Sequence, residues 1–296
     1  MSGIYRRAPA GFTPELWQAL DRDGLVVIED AYAPEDMAVW REALLGLRAG
    51  AADGFFTTQN FIEMDPAFAD LIDHPAHVGL AYDLYGELLK LQLSEAFARP
   101  PGAARPERWH IDGPRVTPYA AFTGAAPMQV KIGVWLSDVT APDMGELVYA
   151  PGSHRAAYFD AYDTDEAVAG ERRLLVRAGT LTLMNTALWH RTAPNDGATT
   201  RLNLYLGYSP SWLPSTDRAQ SDPDWLAGLN REQRIIMRSY ALPYHHAKPP
   251  MEDVPLFLDR ETGADREDGV YRDRVRLIHR KRTTGWERFV AEGRRG

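Results

Sequence analysis

No cysteine occurs in the 296 residues, which excludes disulfide staples, thiolate metal sites and a cysteine nucleophile. Any bound metal must therefore sit on histidine, aspartate or glutamate. No apolar run approaches the roughly 20 residues of a membrane-spanning helix, and the opening MSGIYRRAPAGFTPELW has no apolar signal core. The expected location is the cytoplasm, with no membrane partner. Positive charge is also short: 33 Lys and Arg against 41 Asp and Glu leave a formal net charge of −8. Basic residues gather only at 272–282, so nucleic acid is not an expected partner, and that stretch reads as a solvated face or a contact to an anionic substrate or a subunit.

What is present is ordinary globular chemistry, 45% hydrophobic and 25% charged, in a chain long enough to bury a sizeable core. One domain over 1–296 is expected, with helical decoration at about 13–86, a strand-rich core at about 88–210 and a C-terminal wrap, lid or subunit contact at 211–296. Thr13-Pro14 reads as an N-cap with proline at the first helical position, and Asp23-Gly24 ends that helix. A short strand at 25–28 precedes a helix at 34–47, whose Met37, Trp40, Leu44 and Leu47 form one stripe. Residues 51–60 read as a loop, and short helices follow at 66–72 and 76–85.

From Leu88 the hydrophobic period changes from about 3.6 to 2. Strands are expected at 88–97, 128–136, 148–150 and 174–177, then a meander over 179–210 with a turn at Pro194-Asn195-Asp196-Gly197. Many short strands with turn signals favour a mainly β sandwich or jelly roll with flanking helices. Short helices are expected at 222–229 and 231–240.

His110-Ile111-Asp112 places an imidazole and a carboxylate on one face of an extended segment. With His190 from a later strand this makes two nitrogens and one anionic oxygen, a set that suits non-haem Fe(II) and leaves coordination positions open. Thr192 shares the face of His190, and Arg201 lies on the strand that returns after the turn. A metal holding a small dicarboxylate fits this group, the guanidinium forking onto the far carboxylate.

Taken in order, these features resemble the phytanoyl-CoA dioxygenase family over about 24–212. The carriers are H-x-D at His110–Asp112, a strand ending Trp135-Leu136-Ser137-Asp138, and Gly-x-Leu-x-x-x-Pro-Gly-Ser-His at 145–154. His190 follows, with Arg201 eleven residues later. The resemblance implies a double-stranded β-helix, the cupin-like jelly roll, with Fe(II) on His110, Asp112 and His190. It also implies 2-oxoglutarate as co-substrate on Arg201 and Thr192, and O2 as oxidant. The expected activity is that of a dioxygenase hydroxylating a small organic molecule, in biosynthesis of secondary metabolites, with release of succinate and CO2. Oxidative cyclisation, desaturation or epimerisation with the same cofactors is the alternative, and a non-catalytic cupin-like metal-binding protein the second. In relatives that halogenate a small residue replaces the carboxylate, so Asp112 argues against halogenation.

Gln92, Ser94 and Lys131 are expected to face the barrel interior and touch co-substrate or substrate, and Trp109 and Trp135, with Trp189, to wall the pocket or form plain core. His154 reads as part of a turn and His245-His246 as a solvated pair. Segments 51–60, 115–127 and 158–172, with the tail after 210, are expected at the pocket mouth, where the substrate preference is not written in residue types. An oligomer, if formed, would use the C-terminal region.

Overall fold

The structure, a computed structural model, describes residues 6–49, 54–102, 107–112, 127–156, 159–247, 249, 250, 253, 256 and 257. The basic stretch 272–282, most of the expected mouth segment 115–127 and the C-terminal residues from 258 lie outside them. Among the described residues no helix is long and apolar enough to cross a membrane.

Helix α1 (Pro14–Asp23) starts where Thr13 accepts a hydrogen bond from the amide of Leu16 and stops at Gly24, which takes φ +79°. Strand β1 (Leu25–Ile28) and helix α2 (Pro34–Arg48) follow as expected. One local expectation is corrected: residues 51–60, expected as loop, contain strand β2 (Phe56–Gln59), while the short helix expected at 66–72 is present as a 3-10 helix. Helix α3 (Val78–Tyr85) then leads into the long strand β3 (Leu89–Arg99).

The remaining strands are β4 (Val130–Trp135), β5 (Leu147–Tyr149), β6 (Arg172–Leu174), β7 (Leu181–Asn185), β8 (His190–Thr192) and β9 (Arg201–Pro210). They form two antiparallel sheets, one in the order β1-β7-β4-β9-β3-β2 and one in the order β6-β5-β8. Short helices α4 (Pro223–Gly228), α5 (Arg231–Met237) and α6 (Pro243–Ala247) follow.

The larger sheet is buried on both faces. Ala96, Ala98, Ile132, Val134, Leu181, Leu183, Leu204 and Leu206 pack with Leu20, Trp40, Leu44 and Leu80 of the flanking helices. The opposite face, carrying Glu95, Phe97, Lys131, Met184, Arg201 and Tyr205, lines the cavity described below. Gly133 is required there: a Cβ would lie 2.4 Å from Thr182 Oγ1, which accepts the indole N–H of Trp135.

One buried titratable group ties helices to sheet. His77 is fully buried, its Nδ1 3.0 Å from the hydroxyl of Tyr32 and its Nε2 2.9 Å from Leu71 O and 3.1 Å from the hydroxyl of Tyr208. Burial, then the neighbouring His74, pull its pKa down to about 3. The unfolded chain protonates first as pH falls, so this stability is complete above about 6.5 and is lost towards pH 3. Urea unfolding should show a loss of about 2 kcal/mol from this residue between pH 6.5 and 5. His77→Asn should flatten the pH dependence by that amount, and an unchanged slope in the variant would exclude His77 as its source.

Candidate metal centre

The segment 107–112 runs antiparallel to β8. Glu107 N–H donates to Thr192 O at 3.1 Å, and His110 and His190 exchange backbone bonds of 2.9 and 3.0 Å. This pairing sets His110 beside His190, with ring centroids 4.3 Å apart, and Asp112 two residues on faces the same space. One ligand atom from each of His110, Asp112 and His190 falls within 4.8 Å of the others. His110 Nε2 lies 3.9 Å from Asp112 Oδ1 and His190 Nε2 3.7 Å from Asp112 Oδ2.

Both rings are oriented by the same device. His110 Nδ1 lies 2.7 Å from Arg108 O, and His190 Nδ1 lies 2.8 Å from Leu188 O. A carbonyl can only accept, so each Nδ1 carries the proton and each Nε2 presents a lone pair towards Asp112. Burial lowers the His190 pKa to about 4, against the pull of Asp112, so this imidazole is neutral near pH 7. Burial opposes ionisation of Asp112 as well, yet Lys131, then His190 and His110, hold its carboxyl well below the usual range. Lys131 Nζ stands 2.7 Å from Asp112 Oδ2 and 3.0 Å from Glu95 Oε2. Two neutral nitrogens and one carboxylate, oriented from behind, are a donor set that fits a divalent first-row ion with open positions.

The cavity in front of them has a volume of about 440 Å³. Arg201 and Thr192 line it, as do Lys131 and Trp109. Arg201 is 2% exposed; it donates to Gly145 O and, at 3.0 Å, to the hydroxyl of Tyr205, with its guanidinium 4.8 Å from the centroid of Trp135. Gly145 can offer that carbonyl from a backbone at φ +77°. Arg201 Nε is buried without a hydrogen bond, and among the described residues no carboxylate forms an ion pair with this side chain. Burial lowers its pKa from the ordinary guanidinium value. Trp135 thus supports Arg201 from below, and Trp189 stacks on Phe159 at 4.7 Å in a separate apolar cluster that also holds Trp109.

Gln92 and Ser94 are not brought to the cavity. Gln92 donates to Pro214 O at 2.9 Å, and Ser94 donates through both N–H and hydroxyl to Asp217 Oδ2 at 2.8 and 3.3 Å. The register of β3 against β9 shifts between Leu91 and Leu93, and beyond that irregularity Glu95, Phe97 and Arg99 point inward instead. His154 stays in its turn, 3.2 Å from Asp21 O, while His245 and His246 both pack on Tyr240, so that pair is a local aromatic cluster rather than a solvated one.

Two residues not anticipated from sequence shape the Arg201 and Thr192 end of the cavity. Glu107 accepts the Thr192 hydroxyl at 3.1 Å and is bound by Arg99, whose guanidinium lies 4.5 Å from the ring of Phe55. Burial opposes ionisation of Glu107, but Arg99, with smaller help from His110 and the Thr192 hydroxyl, holds its carboxyl below the ordinary value. Arg99 also pairs with Arg201 across β3 and β9. The clue in the sequence was an acid three residues before His110 in a proline-rich stretch, which carries no pattern of its own.

Comparison with solved structures gives the same fold at low identity. HygX from Streptomyces hygroscopicus, with nickel and 2-oxoglutarate bound, is 21% identical at a TM-score of 0.61, covering 69% of this chain and 90% of that one. Two proteins of nogalamycin biosynthesis, the non-heme α-ketoglutarate-dependent carbocyclase SnoK and epimerase SnoN, match at 20% and 21% identity with TM-scores of 0.55 and 0.54. They cover 68% and 67% of this chain and 85% and 82% of their own. No curated protein sequence matched the chain. The family model Phytanoyl-CoA dioxygenase (PhyH) matches residues 20–203, and the chain belongs to this family of Fe(II)- and 2-oxoglutarate-dependent oxygenases.

Proposed function

We propose that this oxygenase hydroxylates a small polar organic molecule, with Fe(II) on His110, Asp112 and His190 and 2-oxoglutarate anchored by Arg201 and Thr192. The observation that carries the assignment is the pairing of two features in one cavity. Two imidazole lone pairs converge on a carboxylate, and a buried guanidinium without a carboxylate partner lies in the same wall. A closed structural metal site has no use for the second feature.

When bound, iron and the 2-oxo acid supply oxidative decarboxylation to succinate and CO2 together with the oxidising equivalent for a C–H bond. The chain does the rest. Arg108 O and Leu188 O fix the tautomers, and Lys131 keeps Asp112 ionised so that it is available to a cation. Arg201 offers a fork that matches a carboxylate. Glu95, Asp163 and Arg108 give the cavity a polar lining, which suits a hydrophilic substrate better than an acyl chain. HygX, which shares the fold, has been crystallised with nickel, 2-oxoglutarate and hygromycin B bound. The test is substrate-stimulated succinate release with Fe(II) across a panel of polar small molecules, with mass analysis of the product. Gain of one oxygen supports hydroxylation; loss of two hydrogens or an unchanged mass would move the assignment to desaturation, cyclisation or epimerisation.

Thr192 has a single hydroxyl proton, and Glu107 accepts it. A co-substrate carboxylate that takes this bond must displace Glu107. Glu107→Gln should therefore tighten 2-oxoglutarate binding by about threefold to tenfold, the size of one net hydrogen bond of roughly 1 kcal/mol. Calorimetric titration reads the change, and weaker binding in the variant would show that Glu107 assists the co-substrate instead of competing with it.

A further inference from the structure

At the end of β3 remote from Arg99, a second cavity of about 340 Å³ lies among Lys90, the segment 211–220, the end of α5 and His246. Its charged lining is under-used. Lys90 is 2% exposed, and among the described residues its ammonium makes one hydrogen bond, to Leu213 O at 3.0 Å, which leaves two donors without a described acceptor. Arg238 is fully buried and spends three of its five donors, on Glu87 O, Leu89 O and the Tyr240 hydroxyl. Among the described residues neither cation has a carboxylate partner; Asp253 accepts from the Tyr240 hydroxyl and not from Arg238 itself. The third cation, Arg218, is already met by Asp217 at 2.7 Å and Glu63 at 3.5 Å.

Two more features mark the cavity as a receptor. Ser211 lines it, 1% exposed, and among the described residues its hydroxyl has no hydrogen-bond partner. Trp212 lines it too, yet 58% of its surface is open to solvent. Burial, then Arg218, pull the Lys90 pKa down to about 8, so the amine is held there at a cost. Capping the carbonyls of Glu87 and Leu89 at the start of β3 accounts for the backbone bonds of Arg238, but neutral amide side chains would cap them without burying charge.

We propose that this cavity binds the phosphate group of a small organic molecule, with Lys90, Arg238 and Ser211 on the phosphate oxygens and Trp212 under the carbon skeleton. A tetrahedral phosphate offers oxygens in several directions, as an ammonium, a guanidinium and a hydroxyl on different elements require, and the indole supplies a flat platform for a sugar or base. The site is independent of the metal centre.

The test is calorimetric titration of the full chain with glucose 6-phosphate and, separately, inorganic phosphate, with circular dichroism confirming that each variant is folded. The sugar phosphate should bind saturably, one per chain. Lys90→Gln should weaken it about tenfold or more, the loss of one charge-assisted contact, and Ser211→Ala should weaken it severalfold. Arg201→Ala, in the other cavity, should leave it unchanged, and Trp212→Ala should erase the preference over inorganic phosphate. The proposal is overturned if neither compound binds below about 10 mM. It is equally overturned if Arg201→Ala abolishes binding that Lys90→Gln retains, or if inorganic phosphate binds as tightly as the ester.

Discussion

Asp112→Ala and His190→Ala should each reduce Fe(II)-dependent succinate formation to background, and each should lose the metal itself. Removing even a supporting partner of a metal ligand typically costs 10–100-fold in affinity or activity, and in the proposed assignment these residues supply the donor atoms. The loss should be visible without turnover. A divalent ion at about 100 times its Kd stabilises the folded chain by about 2.7 kcal/mol, which for a chain of this size raises Tm by several degrees. Ni(II) or Mn(II) should therefore shift the melting of the parent protein and leave both variants where they were. The two differ in the metal-free state. Asp112→Ala strips Lys131 of its 2.7 Å partner and leaves it only Glu95 at 3.0 Å, so this variant should start less stable. His190→Ala removes a buried neutral ring and keeps the Lys131 pair. A full metal-induced shift in either variant would show that the three side chains do not share an ion.

The triad and Arg201 are legible in the sequence, while Glu95, Glu107 and Arg99 are not, for a physical reason. His110 and Asp112 are two apart on an extended segment, so their common face follows from strand geometry alone, and the lone histidine in the following meander narrows the search for their partner. Arg201 opens β9, where a buried cation amid Leu202, Leu204 and Leu206 is anomalous by type. Facing along β3 is different. Ala96 and Ala98 meet helices on one side while Glu95, Phe97 and Arg99 meet the cavity on the other, so both faces are buried and polarity does not choose between them. The register irregularity near Gln92 then inverts the expected side. The role of Glu107 arises from its pairing with β8 and from Arg99 eight residues back, contacts that local pattern cannot report. Strand β2 was concealed for a related reason: at the sheet edge its residues alternate between partly buried and exposed without a run of apolar side chains. The second cavity is the extreme case, since Lys90, Ser211 and Arg238 come from three separate stretches joined by the return of the chain after β9.

Arg201→Ala should leave the iron in place and raise the 2-oxoglutarate requirement by about 100-fold to 1,000-fold. Two N–H groups of a guanidinium on one carboxylate, each a charge-assisted bond at the low end of the usual range, roughly 1.5–2 kcal/mol, account for a factor of that size. Their present acceptors, Gly145 O and the Tyr205 hydroxyl, are neutral and already in place, so in the proposed complex the co-substrate carboxylate would bring the charge the site lacks. The effect should fall on the KM for 2-oxoglutarate, with kcat at saturation reduced far less, because the anchor is remote from the reacting bond and binds ground and transition states alike. Arg201→Lys separates charge from shape: a point charge that cannot fork should recover part of the affinity and none of the bidentate geometry. A merely structural role for Arg201, packed over Trp135 at 4.8 Å, would instead lower stability and scale down kcat with unchanged KM. Loss of metal binding in Arg201→Ala with normal 2-oxoglutarate affinity in what remains would be incompatible with the assignment, since it would place the guanidinium in the metal's support and leave the diacid without its anchor.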